Sequence, residues 1–360
     1  ALTPNFFLDG FAAYGTRDGK WKYNLLAEYS FNKKKQFRKA FPVHSIRAEY
    51  GYDVNQLGQQ YLYTNKDNVF LMLKRKENNM MTYLRKAELN YTYENHSGWR
   101  FETALRHQKE TASKYIPFNQ IQPDGSRLLI KDYTTAEMEF KIRWAPNEKF
   151  YETRNFRYPI TQDAPVFTLS HVVGRKGFLG SDFNYNRTDI GIQKRIWLPA
   201  AGYIDAIAKA GKVWTKAPFP MLILPNANIS YTVQLESYAL LNPLEFINDQ
   251  YASWDITYYI NGTIFNRIPL LKYLQLREVI NFKGFWGGLS DKNNPAKGHP
   301  GLFEFPANTY MMSNQPYMEI SAGIANILKF VRLDYVWRLS YRNHEGSPNH
   351  GLRFRLEFNF

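Results

Sequence analysis

From Gly351 to the end of the chain, apolar and polar positions alternate. Leu352, Phe354, Leu356, Phe358 and Phe360 hold one parity; Arg353, Arg355, Glu357 and Asn359 hold the other. Successive side chains of a strand point to opposite faces, so this period predicts a strand with one apolar and one wet face. The pattern recurs upstream. Trp21, Tyr23, Leu25, Ala27, Tyr29 and Phe31 oppose Lys22, Asn24, Glu28 and Ser30. Ala87, Leu89, Tyr91 and Tyr93 oppose Glu88, Asn90, Thr92 and Glu94. Met138, Phe140, Ile142 and Trp144 oppose Glu137, Glu139, Lys141 and Arg143. Val331, Leu333, Tyr335, Trp337, Leu339 and Tyr341 oppose Arg332, Asp334, Arg338, Ser340 and Arg342. Charges at every second position, opposite large rings, do not fit a dry sandwich core. They fit a barrel with lipid outside and a polar lumen inside.

Strands near the ~9–11 residues that cross a bilayer are expected at Asn5–Tyr14, Trp21–Asn32, Val43–Asp53, Met80–Glu94, Gly98–Gln108, Tyr133–Ala145 and Pro165–Val173. Seven more follow at Asp182–Trp197, Gly202–Trp214, Gln250–Gly262, Leu270–Gly287, Pro316–Ile327, Phe330–Arg342 and His350–Phe360. The predicted class is all-β: a transmembrane antiparallel β-barrel of about fourteen strands, one domain over residues 1–360. Barrels of this kind have short periplasmic turns and long outer loops. With Phe360 on the periplasmic side, Asn343–Asn349, Gly288–Gln315, Thr215–Asp249, Lys109–Asp132 and Val54–Asn79 fall outside, and short turns such as Leu328–Lys329 fall inside. Pro146–Ala164 breaks the rule by being long on the periplasmic side. Trp21, Trp99, Trp144, Trp197, Trp214 and Trp286 sit at predicted strand ends, where an aromatic girdle belongs.

Composition narrows the classes further. There are 26 Tyr and 26 Phe, yet mean hydropathy is on the polar side. No run approaches the roughly 18 apolar residues of a membrane helix. The absence of cysteine excludes a disulfide scaffold, a thiolate metal site and a Cys nucleophile. The net charge of +14 is spread among apolar positions instead of forming a stripe, which argues against nucleic acid as a partner. His44, His96, His107, His171, His299, His344 and His350 show no metal-ligand spacing, and His344 and His350 read as solvated loop residues. The chain has no GxSxG, GxxxxGK[ST] or GxGxxG motif. No enzyme activity, metal or cofactor is therefore expected. A chain that starts at Ala1 reads as a mature product or a fragment.

The most distinctive sequence lies between Gly202 and Pro295. It includes Lys216-Ala217-Pro218-Phe219-Pro220, Leu224-Pro225-Asn226-Ala227-Asn228, Leu241-Asn242-Pro243-Leu244-Glu245-Phe246, Phe265-Asn266-Arg267-Ile268-Pro269 and Ser290-Asp291-Lys292-Asn293-Asn294-Pro295. With Tyr83-Leu84-Arg85-Lys86 and Arg143-Trp144-Ala145-Pro146, it resembles an outer-membrane family of unknown function found in Bacteroidota. Members of that family carry a carboxypeptidase-like regulatory domain ahead of the barrel. More distantly the chain resembles the BamA/TamA assembly-factor superfamily of sixteen-stranded barrels. There a long outer loop folds into the lumen and five strands follow it. Five predicted strands follow Thr215–Asp249 here, and nine precede it, so sixteen would require two more upstream of Ala1 or unrecognised in the chain. The superfamily's Arg-Gly-aromatic lumen motif is absent from Thr215–Asp249.

That segment is too apolar for a loop waved in water, with Phe219, Met221, Leu222, Ile223, Leu224, Leu240, Leu241, Leu244, Phe246 and Ile247. The sequence leaves it open between a surface loop and a lumen plug. As a plug its working residues would be Pro225, Asn226, Asn228, Asn242, Pro243, Glu245, Phe246, Asn248 and Asp249. Arg332, Asp334, Arg338, Arg353, Arg355 and Glu357 would form the lumen wall, and Phe358 and Phe360 the barrel seam and C-terminal signal. The expected location is the bacterial outer membrane. The expected partners are its lipid and lipopolysaccharide, with other outer-membrane or periplasmic proteins. Three functions follow: an assembly or translocation barrel with a loop-gated lumen, a channel or transporter subunit, or a structural or binding barrel. The basic cluster Lys33, Lys34, Lys35, Arg38 and Lys39 would face the periplasm, as a solvated turn or a docking site.

Overall fold

Fourteen antiparallel strands form one sheet in which each strand pairs with its neighbours in chain order. They are seen in a computed structural model that describes residues 2–32, 41–58, 61–63, 73–77, 79–153, 157–161 and 163–356. The strands are β1 Phe6–Gly15, β2 Lys20–Ser30, β3 His44–Asn55, β4 Thr82–Glu94, β5 Trp99–Thr111, β6 Asp132–Trp144 and β7 Val166–Gly174. They continue as β8 Tyr185–Leu198, β9 Gly202–Val213, β10 Gln250–Tyr259, β11 Arg277–Gly288, β12 Tyr317–Ile327, β13 Val331–Arg338 and β14 His350–Leu356. All fourteen stretches of alternation are strands. Glu357, Phe358 and Phe360, and the Lys33–Lys39 cluster, lie outside the described residues.

The corrections are local. Leu270–Leu274 is not strand: Pro269 fixes φ and opens a one-turn helix, Pro269–Leu274, which Gln275 ends in a left-handed conformation. β10 stops before Asn261 and Gly262, both at positive φ. β13 stops at Arg338, short of Tyr341 with its φ of 53°. The long Pro146–Ala164 connection carries a small hairpin, Phe150–Glu152 paired with Arg157–Pro159. Arg157 fixes it to the sheet: the guanidinium lies 3.6 Å from the Phe150 ring centroid and 3.0 Å from Glu94 at the end of β4.

The sheet inverts the arrangement of a soluble protein. On β4, Leu89, Tyr91 and Tyr93 are exposed while Glu88, Asn90, Thr92 and Glu94 are buried. On β13, Leu333, Tyr335 and Trp337 are exposed, and Arg332, Asp334 and Arg338 are among the most buried side chains. Charged residues are almost never buried without partners, so the polar face must be the one that is covered. Exposed Trp21, Trp99, Trp197 and Trp286 stand at strand ends, and Trp99 stacks on Trp144 with 5.3 Å between ring centroids. β1 and β14 are the two ends of the strand order, and among the described residues no ladder joins them.

An apolar outer face of this extent should make the folded chain depend on an amphiphile. Moving purified protein into detergent-free buffer is expected to cause association, read by sedimentation velocity. A stable monodisperse monomer there would contradict the exposed apolar face.

Candidate functional site: the segment against the inner face

Residues 215–249 join β9 to β10, whose ends are already neighbours, with Lys212 opposite Gln250. The segment's base is pinched shut by Ile223 and Asn248, which exchange backbone hydrogen bonds of 2.8 and 3.0 Å. Prolines 218, 220 and 225 exclude regular helix, and only a 3-10 turn, Phe219–Met221, forms. Asparagine amides do the work that backbone pairing would do elsewhere. Asn228 donates to the Thr232 carbonyl at 2.7 Å and accepts from the Ser230 N–H at 3.0 Å. Asn226 donates to the Glu236 carbonyl at 2.9 Å. Pro225 is buried beside it.

The segment's apolar residues form the main hydrophobic core. Phe219, Leu222, Ile223, Leu241, Phe246 and Ile247 pack with Phe118, Tyr185, Phe303 and Tyr317. Its polar groups meet the charged inner face of the sheet. Glu245 pairs with the guanidinium of Arg338, which also donates to the Leu240 carbonyl at 3.3 Å. Glu236 accepts from Lys209 at 2.9 Å and from the N–H groups of Leu62 and Tyr63 at 3.0 and 2.9 Å. Lys283 donates to the carbonyls of Gln234 and Ser237 at 3.2 and 3.1 Å. Arg353 donates to the Ala239 carbonyl at 2.6 Å. In the opposite sense, Glu319 of β12 accepts the N–H groups of Ala239 and Leu240 at 2.9 and 2.7 Å.

Of the expected residues, Glu245 of the segment meets the expected wall at Arg338, and Arg353 of that wall reaches the segment at Ala239, while Asn226, Asn228 and Asn248 bond within the segment itself. Asn242 donates its N–H to Glu245 at 3.0 Å and its amide to Ser347 at 2.7 Å, and the half-buried Pro243 lies in the same turn. Phe246 is fully buried and its ring lies 4.9 Å from that of Tyr341. Asp249 accepts from Asn293 at 2.8 Å and from Ser290, tying the segment to the β11–β12 connection; Asn248 holds its base. Two wall residues behave differently. Arg332 is satisfied within the wall by a two-pronged bond to Asp334, both at 2.7 Å. Arg355 lines a cavity that Leu235 of the segment also borders. His344, expected as a solvated loop residue, stacks on Tyr310 with 3.7 Å between centroids and meets Glu245 at 2.7 Å. Lys209, Lys283 and Glu319 were missed as partners, although their inward parity was readable, and so was Glu236, which lies in the irregular segment and has no parity to read.

The segment also occupies a sheet edge. The N–H of Phe354 donates to the Tyr231 carbonyl at 2.9 Å, and the N–H of Val233 donates to the Phe354 carbonyl at 2.8 Å. On the other side, Arg75 and Tyr231 donate to the carbonyls of Ile229 and Leu73, each at 2.8 Å. Residues 229–233 therefore link β14 to the β3–β4 connection through two isolated bridges, Ser230 to Lys74 and Thr232 to Phe354. Four cavities border the segment, one of about 540 Å³ lying at its start beside Thr215, Ala217 and Pro218. One of about 450 Å³ is lined by Glu88, Arg106, Glu137 and Glu139. One of about 770 Å³ is lined by Arg195, Arg277 and Arg355. A void of about 40 Å³ beside Lys209, Glu236 and Asp255 lies between them, sharing wall residues with each.

A model of the family of unknown function DUF5686, C-terminal domain, matches residues 3–292. The chain belongs to this family. The DUF5686 domain is similar in fold to BamA from Haemophilus ducreyi lacking POTRA domains 1–3, with 10% identity, 97% of this chain and 68% of that chain covered, and a TM-score of 0.50. It is also matched to OccK11 (OpdR) of Pseudomonas aeruginosa at 8% identity, with 98% and 94% of the two chains covered and a TM-score of 0.32. No curated protein sequence matches it. It is a large all-β domain with distant structural kinship to outer-membrane barrel proteins. Among the described residues no cluster of His, Asp and Glu could hold a metal ion.

Burial pushes the Glu245 carboxyl up, but its bond and charge contact with Arg338, the Asn242 N–H and His344 outweigh this and hold it below the ordinary range. A depressed carboxylate contributes stability that is full above its unfolded value of about 4.3 and is lost as pH falls through the folded value. Amide hydrogen exchange over residues 240–247 is expected to stay slow at neutral pH and to accelerate as pH drops below that value, after correction for intrinsic rates. Glu245→Gln should exchange faster at neutral pH and lose the extra acid response. Equal protection in the two proteins at every pH would contradict the assignment.

Proposed function

We propose that the DUF5686 domain is a bacterial outer-membrane β-barrel whose lumen is closed by residues 215–249, and that it works in assembly or translocation across that membrane. The observation that carries this reading is the two-sided fit of the segment: an apolar core of its own, and polar atoms that meet charges of the inner face. A surface loop would have no reason to supply those partners. The backbone bonds of residues 229–233 support a gated seam, because they cover the N–H and carbonyl of Phe354 on the edge of β14 that faces away from β13. Unpaired strand edges are templates for another chain, and an edge covered by a removable segment is protected until needed. The long connections would lie at the outer surface near lipopolysaccharide, and the short turns, with the Phe150–Pro159 hairpin, would face periplasmic partners.

A channel or transporter subunit is the second reading. It is favoured by the two cavities on either side of the Lys209–Glu236 pair, which together sketch a route interrupted at one narrow point. Both readings make the segment the barrier. In planar bilayers the intact chain is expected to be nearly silent, and a variant with Thr215–Asp249 replaced by a short Gly/Ser linker between β9 and β10 to give large steady openings. Glu236→Ala should give brief partial openings. Equal conductance in all three would rule out a lumen plug and leave a scaffolding or binding barrel.

A further inference from the structure

The β10–β11 connection, residues 260–276, is an exception among the short-turn connections: it is longer and carries the helix Pro269–Leu274. Strand parity fixes which face it covers. Asp255 and Lys283 are register partners that form an inward ion pair, and Arg277 lines the large inner cavity. Odd-numbered residues of β11 therefore point inward, and Glu278 points outward with Ile280. A carboxylate on the apolar outer face would be costly bare. It is 7% exposed, because the connection folds over it. The N–H groups of Gly262, Ile264 and Phe265 all donate to Glu278, at 2.9, 3.1 and 2.5 Å. Three backbone bonds thus hold the connection against the outer side of the sheet. Asn326 donates to the Gln275 carbonyl at 2.7 Å, bracing the connection against the neighbouring short turn.

What this places on the outside is apolar. Leu270, Tyr273 and Leu274 share a helix face at i, i+3 and i+4 and are 76%, 86% and 58% exposed. Ile264 and Ile268 are also exposed, as are Trp197 and Leu328 on the flanking turns, so the patch continues the apolar outer face of the strands. Exposed Arg267 and Lys272 stand among these residues. An apolar face with basic residues beside it is the composition of an element lying in the headgroup–acyl boundary.

We propose that residues 260–276 form a lipid-contacting foot, seated in the phospholipid leaflet at the short-turn end, with Arg267 and Lys272 at phosphate depth. The proposal rests on the barrel reading above. The chain has no cysteine, so single spin labels can be placed cleanly at Tyr273→Cys, at Leu89→Cys on the apolar face of β4, and at Ala296→Cys in a long connection. Collision of each label with oxygen and with a water-soluble nickel chelate is measured by electron paramagnetic resonance in phospholipid vesicles. The foot predicts that the oxygen-to-nickel ratio at 273 shifts from the aqueous value at 296 toward the lipid value at 89. A ratio at 273 equal to that at 296, with 89 lipid-like, overturns the foot alone. Aqueous values at 273 and 89 together overturn the barrel reading as well.

Discussion

Removing a charged side chain from water costs several kcal/mol unless another group replaces the water. The inner face of this sheet makes that demand repeatedly, at Arg338, Arg353, Lys283 and Glu319. Residues 215–249 meet it. They bring one carboxylate to Arg338, carbonyls to Lys283 and Arg353, and N–H groups to Glu319. The dependence runs both ways. The segment has almost no regular structure, so its own buried backbone groups need those wall side chains as much as the wall needs the segment.

The same economy explains where the segment ends up. Its apolar residues cannot join the apolar face of the strands, because that face points outward. They instead build a core with rings from the long connections, Phe118 and Phe303, and with Tyr185 and Tyr317 of the wall. Core and ion pairs together fix one placement, in which residues 229–233 reach the edge of β14. The Arg353–Ala239 bond fastens the segment to the same strand a few residues further along the chain.

The strands were legible from the period-two alternation, most plainly in β2, β4, β6 and β13, where ionised residues on one parity admit one assignment of faces. Their ends were less so, and the errors fall where a single residue overrides the pattern, as at Pro269, Asn261 and Tyr341. Segment composition left a surface loop and a lumen plug both open, and Glu245 and Arg338 were both named as candidates. Their pairing was not legible, since nothing in a sequence tells which loop carboxylate meets which wall cation. For Lys209, Lys283 and Glu319 inward parity was legible, but it names a face and not the segment atoms that each would meet. Glu278 could not have been read at all: on the outer face it looks like an error of register until the turn that covers it is seen.

Glu245 and Arg338 concentrate the central claim, because one belongs to the segment, the other to the wall, and both are almost fully buried. The direct test is a double-mutant cycle on unfolding in detergent, with Glu245→Gln, Arg338→Met and the pair. Breaking either side of a buried pair is expected to cost about 3–5 kcal/mol, and the double variant much less than the sum of the two. Additive losses would mean that the two residues are not partners, and that the segment does not hold the wall together.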